Sequence, residues 1–268
     1  MKYITFVLLI LFSFELSKAN DLRTPDVRNL GMGENDLVNS LLFNPALMVL
    51  NKDRQIYFEF VNRYQLKELN TFNGAFIYPF ELLTTAVEIT SFGYKEYKEN
   101  MFRFSLGKQL DGKWSAGIGI QYKMLQSDLY EFIPAALSID VGVSYKPVDN
   151  LFINLLIVDF PSVKINQNGI DYKMFELKKI QTGFRWYIIQ QLLISSGISF
   201  ENFERFSGSF GLEYLAFENF HLRAGIHLSP FRPSIGVGYS FLSFTVDAAA
   251  LFDSVLGISS GLAVSYSF

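Results

Sequence analysis

The sequence predicts an all-β protein, a transmembrane antiparallel β-barrel of about fourteen strands with an N-terminal segment inside its lumen. Half of the 268 residues are hydrophobic and 16 % are aromatic. Beyond the first twenty residues, however, no stretch offers eighteen consecutive apolar residues, so membrane-spanning helices are not expected. Apolar residues instead recur at every second position in short segments, which gives each strand one face for lipid. The chain also ends on such a segment, with an aromatic last residue, Phe268.

Residues 1–19 have the features of a secretory signal peptide. Lys2 precedes an apolar run over residues 3–14, and small residues follow at Ser17 and Ala19. A basic start, a short apolar core and small residues two apart predict cleavage after Ala19. We therefore expect the protein to leave the cytoplasm.

Residues 20–54, called the plug segment below, are rich in apolar residues but lack the period of a strand. A free segment of this composition would expose an apolar patch prone to association. We expect it to lie in the barrel lumen as a hatch, against the apolar inner face of the strand over residues 151–159. The alternative is that it docks on a periplasmic partner.

Residues 55–268 form the predicted barrel. Alternation predicts fourteen strands, or twelve if two weak ones merge. They cover residues 55–62, 71–80, 84–92, 102–106, 116–122, 137–145, 151–159, 180–186, 192–201, 205–215, 220–228, 235–241, 244–252 and 257–268.

The connections between these strands also favour an even-numbered barrel. Short turns such as "FELL", "LDGK" and "PVDN" follow the even strands, as periplasmic turns should. Three connections after odd strands are long: "GYKEYKEN", "LQSDLYEFI" and the stretch over residues 161–175.

If the apolar face of each strand meets lipid, the opposite face lines the lumen. Charged residues aimed at lipid near the midplane would cost about 2–4 kcal/mol each, which favours this orientation. Individually, such charges can serve simply to hydrate the lumen or to pair across it. The predicted lumen-facing charged residues are Glu59, Arg103, Lys123, Asp140, Arg185, Glu213, His221, Arg223, His227 and Asp247.

The last strand places aromatic residues on its apolar face, with Tyr266 and Phe268 as a predicted assembly signal. A terminal aromatic of this kind is typical of the closing strand of bacterial outer-membrane barrels. Other aromatics near predicted strand ends would form interfacial girdles. They are Trp114, Tyr122, Tyr145, Trp186 and Tyr239.

The composition argues against several other functions. A net charge of −3 disfavours binding to nucleic acid, and the absence of cysteine removes thiol chemistry. The only histidines, His221 and His227, share one face of a strand but lie about 20 Å apart at the usual rise, so they cannot share a site. We therefore expect no enzyme, no metal centre and no cofactor.

The plug segment carries a motif with turn chemistry rather than strand periodicity. Gly31 and Gly33 form a Gly-x-Gly pair, and Phe43 precedes an Asn-Pro-Ala turn at Asn44, Pro45 and Ala46. This stretch resembles the N-terminal region of the long-chain fatty-acid transporter superfamily of outer-membrane barrels. Within that superfamily it is most similar to the PorV/PorQ-type branch associated with type IX secretion.

The resemblance implies a fourteen-stranded barrel in the outer membrane of a Gram-negative-type bacterium, with the plug segment folded into the lumen. It implies a component supporting protein secretion or anchoring; the alternative is a transporter or channel for small hydrophobic molecules. The expected partners are outer-membrane lipid and the barrel assembly machinery, together with either secretion-system proteins or a hydrophobic small molecule.

Overall fold

The computed structural model describes residues 26–35, 43–127, 133–166, 169–171, 179–201 and 205–268. The predicted signal peptide over residues 1–19 lies outside the described residues. Within the described ranges, no helix is both long enough and apolar enough to cross a membrane.

Fourteen antiparallel strands close into a barrel, so the predicted strand number of fourteen is confirmed. They are β1 (Gln55–Asn62), β2 (Asn70–Pro79), β3 (Thr84–Gly93), β4 (Tyr97–Gln109), β5 (Trp114–Ser127), β6 (Ala135–Val148), β7 (Leu151–Val158), β10 (Lys179–Ile189), β11 (Leu192–Glu201), β12 (Arg205–Phe217), β13 (Phe220–Leu228), β14 (Arg232–Phe241), β15 (Phe244–Asp253) and β16 (Gly257–Ser267). Two short strands, β8 (Ser162–Asn166) and β9 (Gly169–Asp171), form a hairpin that pairs with β6 beyond the end of β7.

The first and last strands close the barrel. Residues of β1 pair with β16 from Gln55–Ser267 to Asn62–Ser260. The pairing continues past both strands, because the Phe268 N–H donates to the Arg54 carbonyl at 2.9 Å and the Arg54 N–H donates to the Phe268 carbonyl at 3.2 Å. The ladder along this seam is therefore continuous from Arg54 to Asn62, as closure of a barrel in a bilayer requires.

The end of the barrel that carries Gln55 and Ser267 is called the terminal end, and the opposite end the loop end. Turns at the terminal end fall where the sequence predicts them and are short. Two loop-end connections are shorter than predicted, because β4 begins at Tyr97 and β5 continues to Ser127. The third contains the hairpin β8–β9. In the added ends of β4 and β5, apolar and polar residues no longer alternate, so hydrophobic periodicity does not predict where these strands end.

Side chains alternate between a lipid-type outer face and a lumenal face along every long strand. On the outer face, Phe58 and Ile235 are 64 % and 68 % exposed, whereas lumenal Gln121 and Asp140 are fully buried. An apolar outer band around a polar interior is the reverse of a soluble core, and it is the arrangement expected when lipid is the solvent.

Aromatic rings cluster on the outer face near the terminal end. Trp114 stacks on Tyr145 with ring centroids 4.4 Å apart, and Tyr266 lies between Phe244 and Phe268 at 4.7 and 5.6 Å. Tyr122, predicted near a strand end, lies five residues inside β5 because that strand is longer than its hydrophobic pattern.

The plug segment contains helix α1 (Val27–Leu30) and a 3-10 helix (Pro45–Leu50). Helix α1 contacts β14, β15 and β16, and the 3-10 helix contacts mainly β4, β5 and β6. Since β5 and β14 lie seven strands apart in the fourteen-strand ring, these two parts touch opposite walls. The predicted packing against β7 is not the main contact of either helix. Glycines on the other walls leave room for the backbone of the plug segment. On β7, the side chains of Leu156 and Val158 point into the lumen and occupy that space.

Candidate functional site

The Asn-Pro-Ala turn of the plug segment lies on a row of glycines that crosses three neighbouring strands. Gly107 pairs with Gly117 across β4 and β5, and Gly117 pairs with Gly142 across β5 and β6. A Cβ atom built on Gly117 would lie 2.5 Å from the Pro45 carbonyl carbon. These three residues, called the first glycine row, let the turn approach the wall at backbone distance.

Hydrogen bonds fix the turn on this row. The Asn44 Oδ1 atom accepts from the Ala46 N–H at 3.0 Å and caps the 3-10 helix, which Pro45 starts. The Ser115 hydroxyl donates to the Ala46 carbonyl at 2.9 Å, and Arg103 donates to the Phe43 carbonyl at 3.1 Å. The wall thus donates hydrogen bonds to backbone carbonyls on both sides of Asn44 and Pro45.

The Gly-x-Gly pair lies against the opposite wall. Gly33 has φ +77°, and its N–H donates to the Ser234 hydroxyl at 2.9 Å. A Cβ on Gly33 would lie 2.6 Å from the Ile226 carbonyl oxygen. On the wall, Gly211 and Gly225 pair across β12 and β13 and form a second glycine row, which receives the backbone of residues 32–33.

Apolar side chains of the plug segment fill the space between these rows. Val27, Leu30 and Phe43 form one buried cluster with wall residues that include Tyr57 and Val61. Met32 packs on Leu193 beside Tyr187, and Met48 packs on Ile77 and Ala86. Burial of this apolar surface gives the segment a reason to remain in the lumen.

A charged network joins helix α1 to the strands beside the second row. Arg28 donates from Nε and Nη2 to both carboxylate oxygens of Glu213, at 2.9 and 2.6 Å. Arg223 bridges Glu213 and Asp247, each at 2.6 Å. The Nδ1 atom of His221 lies 3.8 Å from Glu213. Because Arg28 alone comes from the plug segment, this network ties the segment to β12, β13 and β15.

A second charged network lies on the opposite wall. Asp140 accepts from Arg103 at 2.8 Å and from the Asp159 N–H at 2.9 Å. The Asp159 carboxylate accepts from Lys123 at 3.0 Å and from the Ser138 hydroxyl at 2.7 Å. Paired and hydrogen-bonded in this way, these buried charges avoid much of the cost of desolvation.

At the loop end, Glu34 forms an ion pair with Arg232, and its carboxylate lies 3.8 Å from the Nδ1 atom of His227. A small recess beside this pair is lined by Leu30, Val61, Arg63, Tyr64 and Ser259 together with Glu34 and Arg232. Glu34 follows Gly33, so the ion pair holds this part of the plug segment at the loop end.

The first described residues of the plug segment meet a buried carboxyl group of the wall. Glu59 on β1 accepts from the Val27 N–H at 3.1 Å, from the Tyr57 hydroxyl at 3.0 Å and from Asn73 at 3.1 Å. Asp26, directly before Val27, is itself fully buried and accepts from the Asn29 N–H at 2.7 Å. Two carboxyl groups therefore share one contact between plug segment and wall.

The structure turns the predicted lumen-facing charges inward and brings most of them into the networks above. Arg185 lies apart from them: it donates to the Tyr187 hydroxyl at 2.7 Å and its guanidinium lies 5.4 Å from the centre of the Phe152 ring. His221 and His227 have different carboxylate neighbours, Glu213 and Glu34, and so lie at separate places in the lumen. In the part of the chain that the structure describes, no group of three His, Cys, Asp or Glu residues could hold a metal ion.

Sequence reasoning missed several residues of this site. Glu88 is 7 % exposed on β3 and lies 3.7 Å from Arg103. Its neighbours Val87 and Ile89 are outward-facing, so alternation could have identified it. Asp159 follows the last residue of β7, where no period applies. The glycines of each row become neighbours only when the strands pair in register. The pattern of a single strand therefore does not reveal them.

Comparison with known proteins identifies fold relatives only among solved structures. No family model matches the sequence, and no curated protein matches it. The CymD monoaromatic hydrocarbon channel is 12 % identical with a TM-score of 0.65, over 90 % of this chain and 97 % of that chain. The Ralstonia pickettii toluene transporter TbuX is 12 % identical with a TM-score of 0.65, over 92 % of this chain and 98 % of that chain. A Pseudomonas aeruginosa FadL homologue is 11 % identical with a TM-score of 0.64, over 92 % of this chain and 99 % of that chain.

These matches show that the chain shares the barrel fold of such proteins. They agree with the predicted fatty-acid-transporter-like architecture at the level of fold. The finer prediction of a PorV/PorQ-type protein receives no support from them.

Proposed function

We propose that the protein is an outer-membrane channel for small hydrophobic molecules, and that residues 20–54 are the hatch that closes it. The observation that carries the proposal is the way the plug segment is held. Ion pairs, hydrogen bonds and close packing on glycines fix residues 26–35 and 43–50, and within these ranges no β-ladder joins them to the wall. Such a segment can leave the lumen without opening the barrel wall.

The width of the barrel suits this role. A barrel of eight strands is filled by its own side chains, whereas open porins have sixteen or more. Fourteen strands enclose a lumen of intermediate width, and here the plug segment fills part of it from wall to wall. Movement of that segment is therefore the simplest way to open a path.

The lumenal wall carries apolar side chains that departure of the hatch would uncover for a small molecule. Met32 and Leu193 pack beside Tyr187, and the Phe152 ring lies near Arg185 on the neighbouring strand. Aromatic and aliphatic side chains with a few polar groups are typical of sites for apolar ligands. Two of the fold relatives, a monoaromatic hydrocarbon channel and a toluene transporter, support cargo of this class. Neither the contacts nor the comparisons favour the secretion prediction.

Removal of the hatch tests the proposal in planar bilayers. Deleting residues 26–50 should raise the conductance of the purified barrel clearly above that of the full chain. Asp149→Asn, in a fully exposed terminal-end turn, is the matched control and should leave conductance low. Heat-modifiable migration in gels verifies that each barrel is folded. A folded deletion variant with unchanged low conductance would contradict the hatch.

A second assay tests the cargo. The full-length protein in vesicles with a lipopolysaccharide outer leaflet, which slows passive entry of apolar molecules, should accelerate the entry of toluene much more than the entry of a sugar of similar size. Equal acceleration of both would indicate an unselective pore, and acceleration of neither would contradict transport.

A further inference from the structure

The described part of the plug segment begins with a carboxyl group in an unusual environment. Asp26 is fully buried. Its Oδ1 atom accepts from the Asn29 N–H, but within the described residues its Oδ2 atom has no hydrogen-bond partner. An ionised carboxylate that is buried with one oxygen unpaired is costly, and such a group tends to take up a proton instead.

A carboxyl group of the wall shares this contact with Asp26. Glu59 receives the N–H of Val27, the residue after Asp26, and is only 5 % exposed. Two like charges in one buried contact disfavour each other. Tyr57, the other titratable residue here, donates its hydroxyl to Glu59 and so supplies no positive charge.

The cations around Asp26 already have carboxylate partners. Arg28 binds Glu213, which His221 approaches on β13, and Arg223 binds Glu213 and Asp247. On β14, Arg232 binds Glu34, which also faces His227. The carboxylate of Asp253 on β15 accepts backbone N–H groups of its own turn, and β16 carries no charged residue. Among the residues that the structure describes, the elements packed on this part of the plug segment thus supply no cation dedicated to Asp26.

We propose that the hatch is controlled by a proton on Asp26: the protonated form keeps the plug segment in the lumen, and loss of the proton loosens it. This inference rests on the proposed function and adds its regulation. Proton loss leaves a carboxylate beside Glu59 and Asp247, and the first turn of the segment must then move to a place where water can solvate it.

The direction of the pH dependence follows from burial. Burial raises the pKa of Asp26 to about 7, against the lowering effects of the Asn29 hydrogen bond and of Arg28, from an ordinary value of 3.8. Between these two values the closed state binds more protons than a state in which Asp26 is in water. The closed state is therefore favoured at low pH and weakens as the pH rises towards 7.

The test is the conductance of the full chain in planar bilayers from about pH 4 to about pH 8, a range that spans the ordinary and raised values of a carboxyl group. We expect wild-type conductance to rise severalfold over this range. Asp26→Asn keeps an acceptor for the Asn29 N–H but carries no titratable proton, so its conductance should stay low throughout. Glu59→Gln keeps a neutral acceptor for the Val27 N–H and leaves Asp26 as the titrating group, so the rise should remain. Asp111→Asn, in an exposed turn, should behave like wild type.

Two results would overturn the proposal. One is a flat wild-type profile while the deletion of residues 26–50 raises conductance, which would leave the proposed function standing. The other is a rise that persists in folded Asp26→Asn; if it disappears in His227→Gln, the titrating group is at the Glu34 contact instead. Failure of the deletion itself to raise conductance would contradict the hatch, and so the two proposals fail separately.

Discussion

Arg28 of the plug segment binds both carboxylate oxygens of Glu213 on β12, although the two residues are 185 positions apart in the sequence. The pair is bidentate, the geometry in which a guanidinium recognises a carboxylate most specifically. Glu213 is only 7 % exposed, and Arg223 contacts it from the other side. The pair is thus a defined anchor of the plug segment on the wall.

Arg28→Met should weaken this anchor without leaving Glu213 unpaired, because Arg223 remains. We expect a loss of about 1.5–3 kcal/mol, the usual contribution of hydrogen bonds to a charged group. Urea unfolding of the refolded protein in lipid vesicles, followed by tryptophan fluorescence, measures this loss as a change in the free energy of unfolding. Lys146→Met, in an exposed pair with Asp149, is the control and should cost less than about 1 kcal/mol. A double-mutant cycle with Glu213→Gln that gives no coupling would contradict the anchor.

Gly117→Ala should displace the Asn-Pro-Ala turn from the first glycine row. The new methyl group would overlap the backbone of Pro45, and overpacking of this kind costs about 1–3 kcal/mol. We expect a folded barrel with raised conductance in planar bilayers. Gly112→Ala, where no atom lies within 4 Å of the added methyl group, should conduct like wild type. If Gly117→Ala stays as closed as wild type, the row does not position the plug segment.

Val237→Arg should impair insertion, because Val237 is on the outer face and 41 % exposed. An arginine facing lipid near the midplane costs about 2–4 kcal/mol. The fraction of folded, heat-modifiable protein in the outer membrane measures the effect. Ser207→Arg, on the lumenal face of β12, and Val237→Ile should both insert normally. Gly238 is unsuitable as the lumenal control, because a Cβ there would lie 2.5 Å from the Asp247 carboxylate. An equal loss of inserted protein for substitutions on the two faces would contradict the assigned orientation.

Deletion of Phe268 should block assembly rather than transport. It removes two backbone hydrogen bonds to Arg54 and the ring that stacks on Tyr266. We expect the truncated protein to be degraded or aggregated in the periplasm, as immunoblots of membrane fractions would show. Phe268→Tyr keeps the ring and the backbone bonds and should assemble normally. Normal outer-membrane levels of the truncated protein would refute the assembly-signal prediction.

The strand count could be predicted from the sequence because lipid on one side of the wall imposes a period of two on almost every strand. β1, β11 and β13 have the predicted bounds. β4 does not, because its first residues, from Tyr97 to Asn100, carry no apolar alternation. There the ladder with β3 and β5 decides the length of the strand, and pairing partners are not visible in one strand alone.

By itself, the sequence determined the barrel, its two faces and the separation of the plug segment, since each depends on local composition and period. Only the tertiary structure decided which residues meet across the lumen. Arg28 reaches Glu213, Pro45 reaches Gly117 and Val27 reaches Glu59 because closure of the fourteen-strand ring brings distant strands around one short segment. Closure sets those distances through strand register and ring order, which are properties of the whole sheet and of no single stretch of chain.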